Sequence, residues 1–381
     1  MIHIIGTNGW KAEEFHAMNG AEWSINMKRG IGKSFSLAFV LVGTLIGAGF
    51  ATGQEIYTFF VKYTGYPEWF FTFSCGLIIL GSVCCYFYNK ELHIRSYEEY
   101  LCSMLGRRVG QIAYLISVLF LLACFCVTVS GSGALFEESF HMPYWFGVAV
   151  ILIISFATLL YGISGIFFVN SILTPVIIIC ILFLGTTAFF GKGTEVFASI
   201  NMKYLTPPLL FAFVYAGYNA FSVLPISISS AGTELSNRQA AMSFLLAFLF
   251  LLPVGLIIIG CLNLPGFRPE LYELPFLHVV ASLSKYSESI YGLALYFAMI
   301  TTAVSCFYGF VYAVAGSFQF KQSAVMLAGC GAAVGTAFFP FSTLVGKLYS
   351  FFGVFGVLLL VIAVYRYLAL KWKQRCDRII K

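Results

Sequence analysis

Residues 42–55 read VGTLIGAGFATGQE and place four glycines inside the apolar run 35–62. Because each glycine costs a helix interior roughly 1 kcal/mol relative to alanine, the run predicts a helix that breaks near its middle. A bilayer tolerates such a break only where the freed peptide groups face a cavity or a ligand. A half-helix starting near Gly49 would point its N–H groups and positive dipole end at a carboxylate. We therefore expect Gly47, Ala48, Gly49 and Thr52 to bind substrate.

The same glycines allow a second interpretation. The spacing Gly49-x-x-x-Gly53 is also typical of small-residue seams, at which two membrane helices pack closely. The first run alone leaves both interpretations open.

Composition makes this chain a polytopic α-helical membrane protein. Hydrophobic residues are 60% of its 381 residues and charged residues are 10%, whereas a soluble domain carries about 25% charge. A spanning helix needs about 20 mostly apolar residues. Short interfacial helices are expected within 90–108 and 263–287. The predicted spans, numbered first to tenth, are 35–62, 68–89, 109–135, 144–162, 165–190, 207–231, 238–262, 288–316, 322–340 and 343–368.

Charge placement predicts the orientation. Sixteen of the 22 lysines and arginines fall on the side that holds both termini, which predicts a multi-pass plasma-membrane protein with cytoplasmic ends. The expected organisation is a tail at 1–33, a five-helix repeat at 34–190, a connecting loop at 191–206, a second five-helix repeat at 207–368 and a basic tail at 369–381. The net charge of +6 is explained by helix ends and tails, so no nucleic-acid partner is expected.

The sixth span carries a second irregular stretch. Tyr215, Gly217, Tyr218 and Asn219 lie at its middle, and Pro225 follows. Interrupted segments at corresponding positions of two halves are typical of an inverted-repeat transporter site. The pattern predicts that helices 1 and 6 are both broken and that these four residues complete the substrate pocket.

The strings GTLIGAGFATGQE at 43–55 and YAGYN at 215–219 resemble the YkvI-like family of bacterial membrane proteins. The match covers essentially the whole membrane region. The family is counted among candidate amino-acid permeases of the amino acid–polyamine–organocation superfamily. This resemblance implies the leucine-transporter fold of two inverted five-helix repeats, in which the N–H groups of Ala48 and Gly49 hold a substrate carboxylate.

The resemblance also implies an ion site. The carbonyls of Gly43, Ile46 and Ala298, together with the hydroxyls of Thr301 and Thr302, are similar to the second sodium site of that fold. Alternatively, these hydroxyls bond back to their own helix. Position 50 is a phenylalanine where transporters with two sodium ions have an amide, so a first sodium site is not expected. The fifth span lacks the lysine that some proton-driven relatives use.

Glu55 is a carboxylate placed inside a span, where a charge is costly and is by default a functional hypothesis. It would bind a substrate amine, form an outer gate with Lys62 or carry a coupling proton. The alternative is a structural carboxylate near the outer interface. His278 is expected to be a solvated residue of the outer loop.

Together these features predict a secondary transporter of a neutral amino acid or similar zwitterion that works by alternating access. Sodium coupling is the first choice and proton coupling through Glu55 the second. A non-transporting ligand sensor on the same fold, such as a germinant-receptor-like subunit, is a further alternative. No catalytic constellation and no cofactor are expected beyond a possible sodium ion or proton, and a channel is disfavoured because no polar stripe repeats along a span. The sequence leaves the substrate and the oligomeric state open.

Overall fold

The computed structural model describes residues 30–63, 66–94, 96–161, 164–191, 206–232 and 235–379, and the regular elements in this part of the chain are all helices. Most of the predicted tail 1–33 and connecting loop 191–206 lies outside these residues. The first span comprises Gly30–Leu45, Ala48–Ala51, Gln54–Ile56 and a π-helix at Tyr57–Val61; the second to ninth are Pro67–Leu92, Arg107–Glu138, Tyr144–Tyr161, Ser164–Gly191, Thr206–Ala231, Asn237–Leu262, Lys285–Phe318 and Gln322–Thr336; the tenth comprises Phe341–Leu344, a π-helix at Val345–Tyr349 and Ser350–Ile379.

Seven helices of the described residues are long and apolar enough to cross a membrane. The first predicted span is divided into shorter pieces, the fourth contains a shorter apolar helix, Tyr144–Leu160, and the ninth has 15 residues. The count of ten spans therefore stays a prediction. Short helices form at Tyr97–Leu105 and Pro275–Ala281, within the two connecting segments. Their location at the membrane interface stays a prediction.

Local sequence explains where several helices begin. Ser96 accepts a hydrogen bond from the N–H of Glu99, and Ser284 does the same for Ser287. Ser236 and Gln239 form a reciprocal capping box at the start of the seventh span. Such caps supply acceptors for N–H groups that the first helical turn leaves without partners.

The contacts between spans follow a repeat in which the first span corresponds to the sixth, the second to the seventh, and so on. Replacing both members of a contact by the corresponding spans gives another observed contact. The first span packs on the seventh, and the sixth packs on the second. The fifth packs on the first and seventh, while the tenth packs on the sixth and second. The third and eighth, which exchange with each other, are in direct contact. This pairing is the pattern that two related five-helix repeats produce.

The sixth span corrects one prediction, because it is a single helix from Thr206 to Ala231 with Pro225 inside it. Gly217 instead lies where this helix crosses the tenth span. A Cβ at Gly217 would meet the carbonyl oxygen of Gly353 and the N–H of Val357, and a Cβ at Gly356 would meet Gly217 in return. Glycines on both helices therefore permit a backbone approach that any larger residue would prevent.

Candidate functional site

The first span is unwound at Ile46 and Gly47, as predicted. Gly47 is extended, with φ −81° and ψ −175°, and the helix resumes for only one turn, Ala48–Ala51. Gly53 then adopts a left-handed conformation, with φ 79°, which glycine alone enters without strain. The N–H groups at the start of the Ala48–Ala51 turn have no acceptor within their own helix.

Segments distant in sequence fix this irregular backbone. The N–H of Phe276, in the loop helix Pro275–Ala281, donates to the carbonyl of Thr52 at 3.0 Å. Tyr291 of the eighth span donates its hydroxyl to the carbonyl of Ala51 at 2.7 Å. Phe276 also packs against Gly53, where a Cβ would lie 2.8 Å from the Cβ of Phe276. Carbonyls that leave the helical ladder therefore find donors elsewhere, as the membrane interior requires.

Glu55 lies at the centre of this arrangement. Its side chain is 5% exposed, and it is the only charged residue in the buried set of the described chain. The Tyr218 hydroxyl donates to Oε2 of Glu55 at 2.5 Å, while Oε1 lies against Gly49. The structure thus brings together Gly49, Glu55 and Tyr218, three residues that the sequence analysis had placed in the site separately.

Aromatic rings pack around Tyr218, the residue that donates to this carboxylate. Phe59, Phe120, Tyr215, Tyr218 and Tyr349, here called the aromatic cage, are all at least 95% buried. Phe59 and Tyr215 approach the Tyr218 ring at 5.4 and 5.3 Å between centroids, and Tyr349 stacks on it at 4.8 Å. The Tyr215 hydroxyl has no hydrogen-bond partner.

Two π-helical turns shape the cage. Phe59 belongs to the turn Tyr57–Val61, and Tyr349 ends the turn Val345–Tyr349. These two turns contact each other. Single π-helical turns within α-helices frequently mark functional sites. Sequence reasoning missed Tyr349, Tyr291 and Phe276, because each reaches the site through folding from a distant segment and carries no local motif.

The predicted sodium ligands are only partly assembled. Thr302 points its hydroxyl towards the unwound segment, 4.0 Å from the position of a Cβ on Gly47. The Thr301 hydroxyl instead donates to the carbonyl of Ala298 at 3.0 Å, within its own helix. Gly43 faces the side chain of Thr174 in the fifth span. Ile46 is at the break, so its carbonyl belongs to unwound backbone.

Asn219 takes a structural position in this conformation. Its side-chain amide donates to the carbonyl of Tyr215 at 3.0 Å, one turn earlier in the same uninterrupted helix. The Thr52 hydroxyl likewise donates to the carbonyl of Gly49 at 2.8 Å. Both side chains hold local backbone rather than reaching into the aromatic cage.

The expected pairing of Glu55 with Lys62 is not formed. Lys62 is exposed at the end of the π-helical turn, and its amine lies 5.5 Å from the ring of Tyr63. It lines a recess of about 340 Å³ together with Tyr57 and Glu270. Glu55 faces inward while Lys62 faces this recess, so the two charges point into different environments.

Two carboxylates anchor the segment 263–287, which contains the loop helix Pro275–Ala281. Glu138, at the end of the third span, accepts hydrogen bonds from the N–H groups of Glu273 and Leu274 and lies 3.0 Å from Nε2 of His278. Glu273 in turn accepts from the N–H and hydroxyl of Ser342. The prediction of a solvated His278 is therefore wrong, because the loop folds back and half-buries the ring beside Glu138.

Solved structures with this architecture define the class of protein. The manganese transporter of Eremococcus coleocola, bound to an aromatic bis-isothiourea substituted compound, matches with a TM-score of 0.62 at 13% identity, over 92% of this chain and 87% of that chain. The inward-facing conformation of Mhp1 matches with a TM-score of 0.57 at 15% identity, over 87% and 75%. Both have the leucine-transporter-like fold. The chain is therefore a helical membrane protein of that fold.

Two curated relatives are similar to this chain over most of its length. The uncharacterized membrane protein YkvI of Bacillus subtilis strain 168 is 26% identical over 328 residues, covering 86% of this chain and 94% of the relative. YyaD from the same strain is 24% identical over 337 residues, covering 88% and 97%. No family model matches the sequence. The resemblance to the YkvI-like membrane proteins is confirmed by these relatives and by the shared fold.

Proposed function

We propose that the chain is a secondary active transporter that moves a neutral amino acid or similar zwitterion by alternating access. One observation carries this proposal: the unwound first span holds Gly49 against Glu55, which receives the Tyr218 hydroxyl from the sixth span. Unwound peptide groups and a buried carboxylate at one location are what a membrane protein keeps for a ligand. The transporter neighbours support this class over an enzyme.

The proposal includes a coupling ion and no organic cofactor. Sodium would use the carbonyls of Gly43, Ile46 and Ala298 and the hydroxyls of Thr301 and Thr302. The Thr301 hydroxyl donates its hydrogen to the carbonyl of Ala298, and its oxygen keeps lone pairs that the ion would use. Both termini are proposed to be cytoplasmic.

Proton coupling through Glu55 is the second candidate. The observation that favours it is the position of Glu55, which is buried, bonded to Tyr218 and without an ion-pair partner in the described part of the chain. A carboxylate in this setting is readily neutralised by a proton, since ionisation without a cationic partner is costly in the membrane.

Uptake into proteoliposomes tests the proposal. We expect the purified full-length chain to accumulate at least one radiolabelled neutral amino acid above a no-protein control when an inward sodium or proton gradient is imposed. Imposing each gradient separately identifies the coupling ion. Binding of amino acids without any flux would favour the ligand-sensor alternative and contradict transport.

A further inference from the structure

The position that sequence analysis reserved for a substrate carboxylate is occupied by the protein itself. Oε1 of Glu55 lies against Gly49, the residue expected to hold that carboxylate. A solute carboxylate arriving here would have to displace Oε1 of Glu55 from Gly49, and with Glu55 ionised the two carboxylates would repel one another. The buried set of the described residues contains no lysine, arginine or histidine to balance a second negative charge.

The surroundings of Glu55 favour a cation. The aromatic cage presents rings whose faces carry partial negative charge, and such faces attract ammonium groups, most strongly where water is excluded. The Tyr218 hydroxyl contacts the Glu55 carboxylate directly, and the rings of Tyr215 and Tyr349 lie 5.3 and 4.8 Å from the Tyr218 ring. A buried carboxylate next to a cluster of aromatic rings therefore offers a cation both a charge partner and polarizable neighbours.

The hydrogen-bonding capacity of the site also matches an ammonium. An –NH₃⁺ group has three donors and needs three acceptors. The sixth span is one helix, so its main-chain carbonyls serve the helical ladder. Side chains must then supply the acceptors. The two oxygens of Glu55 would be two of them. The hydroxyl of Tyr215, whose ring lies 5.3 Å from that of Tyr218, is buried without a partner and would be the third.

We infer that the solute is recognised by its ammonium group, which binds Glu55 within the aromatic cage, so that an amino group is required and a carboxylate is dispensable. The inference rests on the proposed function and deepens it by naming the chemical group of the solute that the site recognises. In the structure described here, the Tyr218 hydroxyl occupies one oxygen of Glu55. Binding requires the cage to open enough for the ammonium to share or replace that contact.

Three matched sets of compounds test the inference by thermal melting of the full-length chain in detergent. The sets are leucine, isopentylamine and 4-methylpentanoate; phenylalanine, phenethylamine and 3-phenylpropanoate; and alanine, ethylamine and propanoate. We expect the amino acid and the amine of at least one set to raise the melting temperature, because a ligand that binds only the folded state stabilises it. The matching acid, which lacks nitrogen, should give no shift.

Variants assign the effect to Glu55. Glu55→Gln keeps the shape of the side chain but removes its charge, so affinity for the amine should fall roughly 10- to 100-fold, as expected for a lost hydrogen bond to a charged group. Glu137→Gln is the matched control, because that carboxylate is exposed and should leave the shift unchanged.

Each outcome has a distinct meaning. Acids that stabilise as well as their amino acids, or an undiminished amine shift in Glu55→Gln, would overturn the inference while leaving transport intact. No shift from any of the compounds would overturn both the inference and the proposed neutral amino-acid transport. Size-exclusion profiles that match the unmodified protein establish that each variant is folded.

Discussion

Replacing Gly49 with alanine should disable the site while leaving the fold in place. The new Cβ would collide with Oε1 of Glu55 and lie 3.0 Å from both its Cγ and Cδ. Glu55 must then move, and the 2.5 Å contact with Tyr218 would break. We expect uptake of the transported amino acid to fall at least tenfold, because a hydrogen bond to a charged group is worth about 1.5–3 kcal/mol.

The stability change is smaller, because two effects oppose each other. Overpacking a buried position costs about 1–3 kcal/mol, whereas exchanging glycine for alanine within a helix gains up to about 1 kcal/mol. The net loss of up to about 3 kcal/mol should lower the melting temperature by no more than several degrees. Gly76→Ala is the control, since nothing lies within 4 Å of its Cβ position. If Gly49→Ala transports and melts like Gly76→Ala, the proposed contact between Gly49 and Glu55 is wrong.

The remaining predictions concern helix packing, the ion site and the loop. Gly217→Ala should lower stability by about 1–3 kcal/mol more than Gly76→Ala in thermal melts, because its Cβ meets main-chain atoms of the tenth span; an equal melting temperature would contradict the close crossing. If sodium drives transport, Thr302→Ala should weaken the sodium dependence of uptake about tenfold or more, and Thr301→Ala should weaken it less. A larger effect from Thr301→Ala than from Thr302→Ala would contradict this position for the ion. Glu138→Ala should destabilise the protein by about 2–3 kcal/mol and speed chymotrypsin cleavage within 263–287. Unchanged cleavage would show that its hydrogen bonds do not hold the loop.

The break in the first span could be predicted from sequence because several local signals agree there. Gly43, Gly47, Gly49 and Gly53 weaken one helix, and the membrane environment assigns such a weakness to a ligand or a cavity. The seam interpretation fails for a physical reason. Gly49 packs on Glu55 of its own span, and Gly53 needs its left-handed φ to turn the chain, so the two glycines do not share one face of a continuous helix.

The sixth span shows the limit of the same reasoning. Glycine weakens a helix whether it marks a break or permits a close crossing, so sequence alone does not distinguish the two cases. At Gly217 the partner is the backbone around Gly353 and Gly356, more than a hundred residues later. Packing against that helix keeps the span wound despite Pro225, as tertiary contacts routinely override local propensity.

The chemistry of the site could be predicted only one residue at a time. Glu55 and Tyr218 were each identified from their own spans, but their contact joins residues 163 positions apart. Tyr349 lies in an ordinary apolar stretch of sequence. Its position beside Tyr218 depends on a π-helical turn that the sequence did not indicate. Enclosure of the carboxylate is therefore a property of the folded chain and not of any motif.

The hydrogen bond from the Phe276 N–H to the Thr52 carbonyl has a consequence for solvent. If the loop helix lifts away, that carbonyl loses its donor at a depth where lipid offers none. Only water can take the place of the lost N–H, so displacement of the loop and wetting of the unwound backbone must occur together. The rate of this movement should then depend on osmotic stress, and not only on the size of the side chains that lose contact when the loop helix moves.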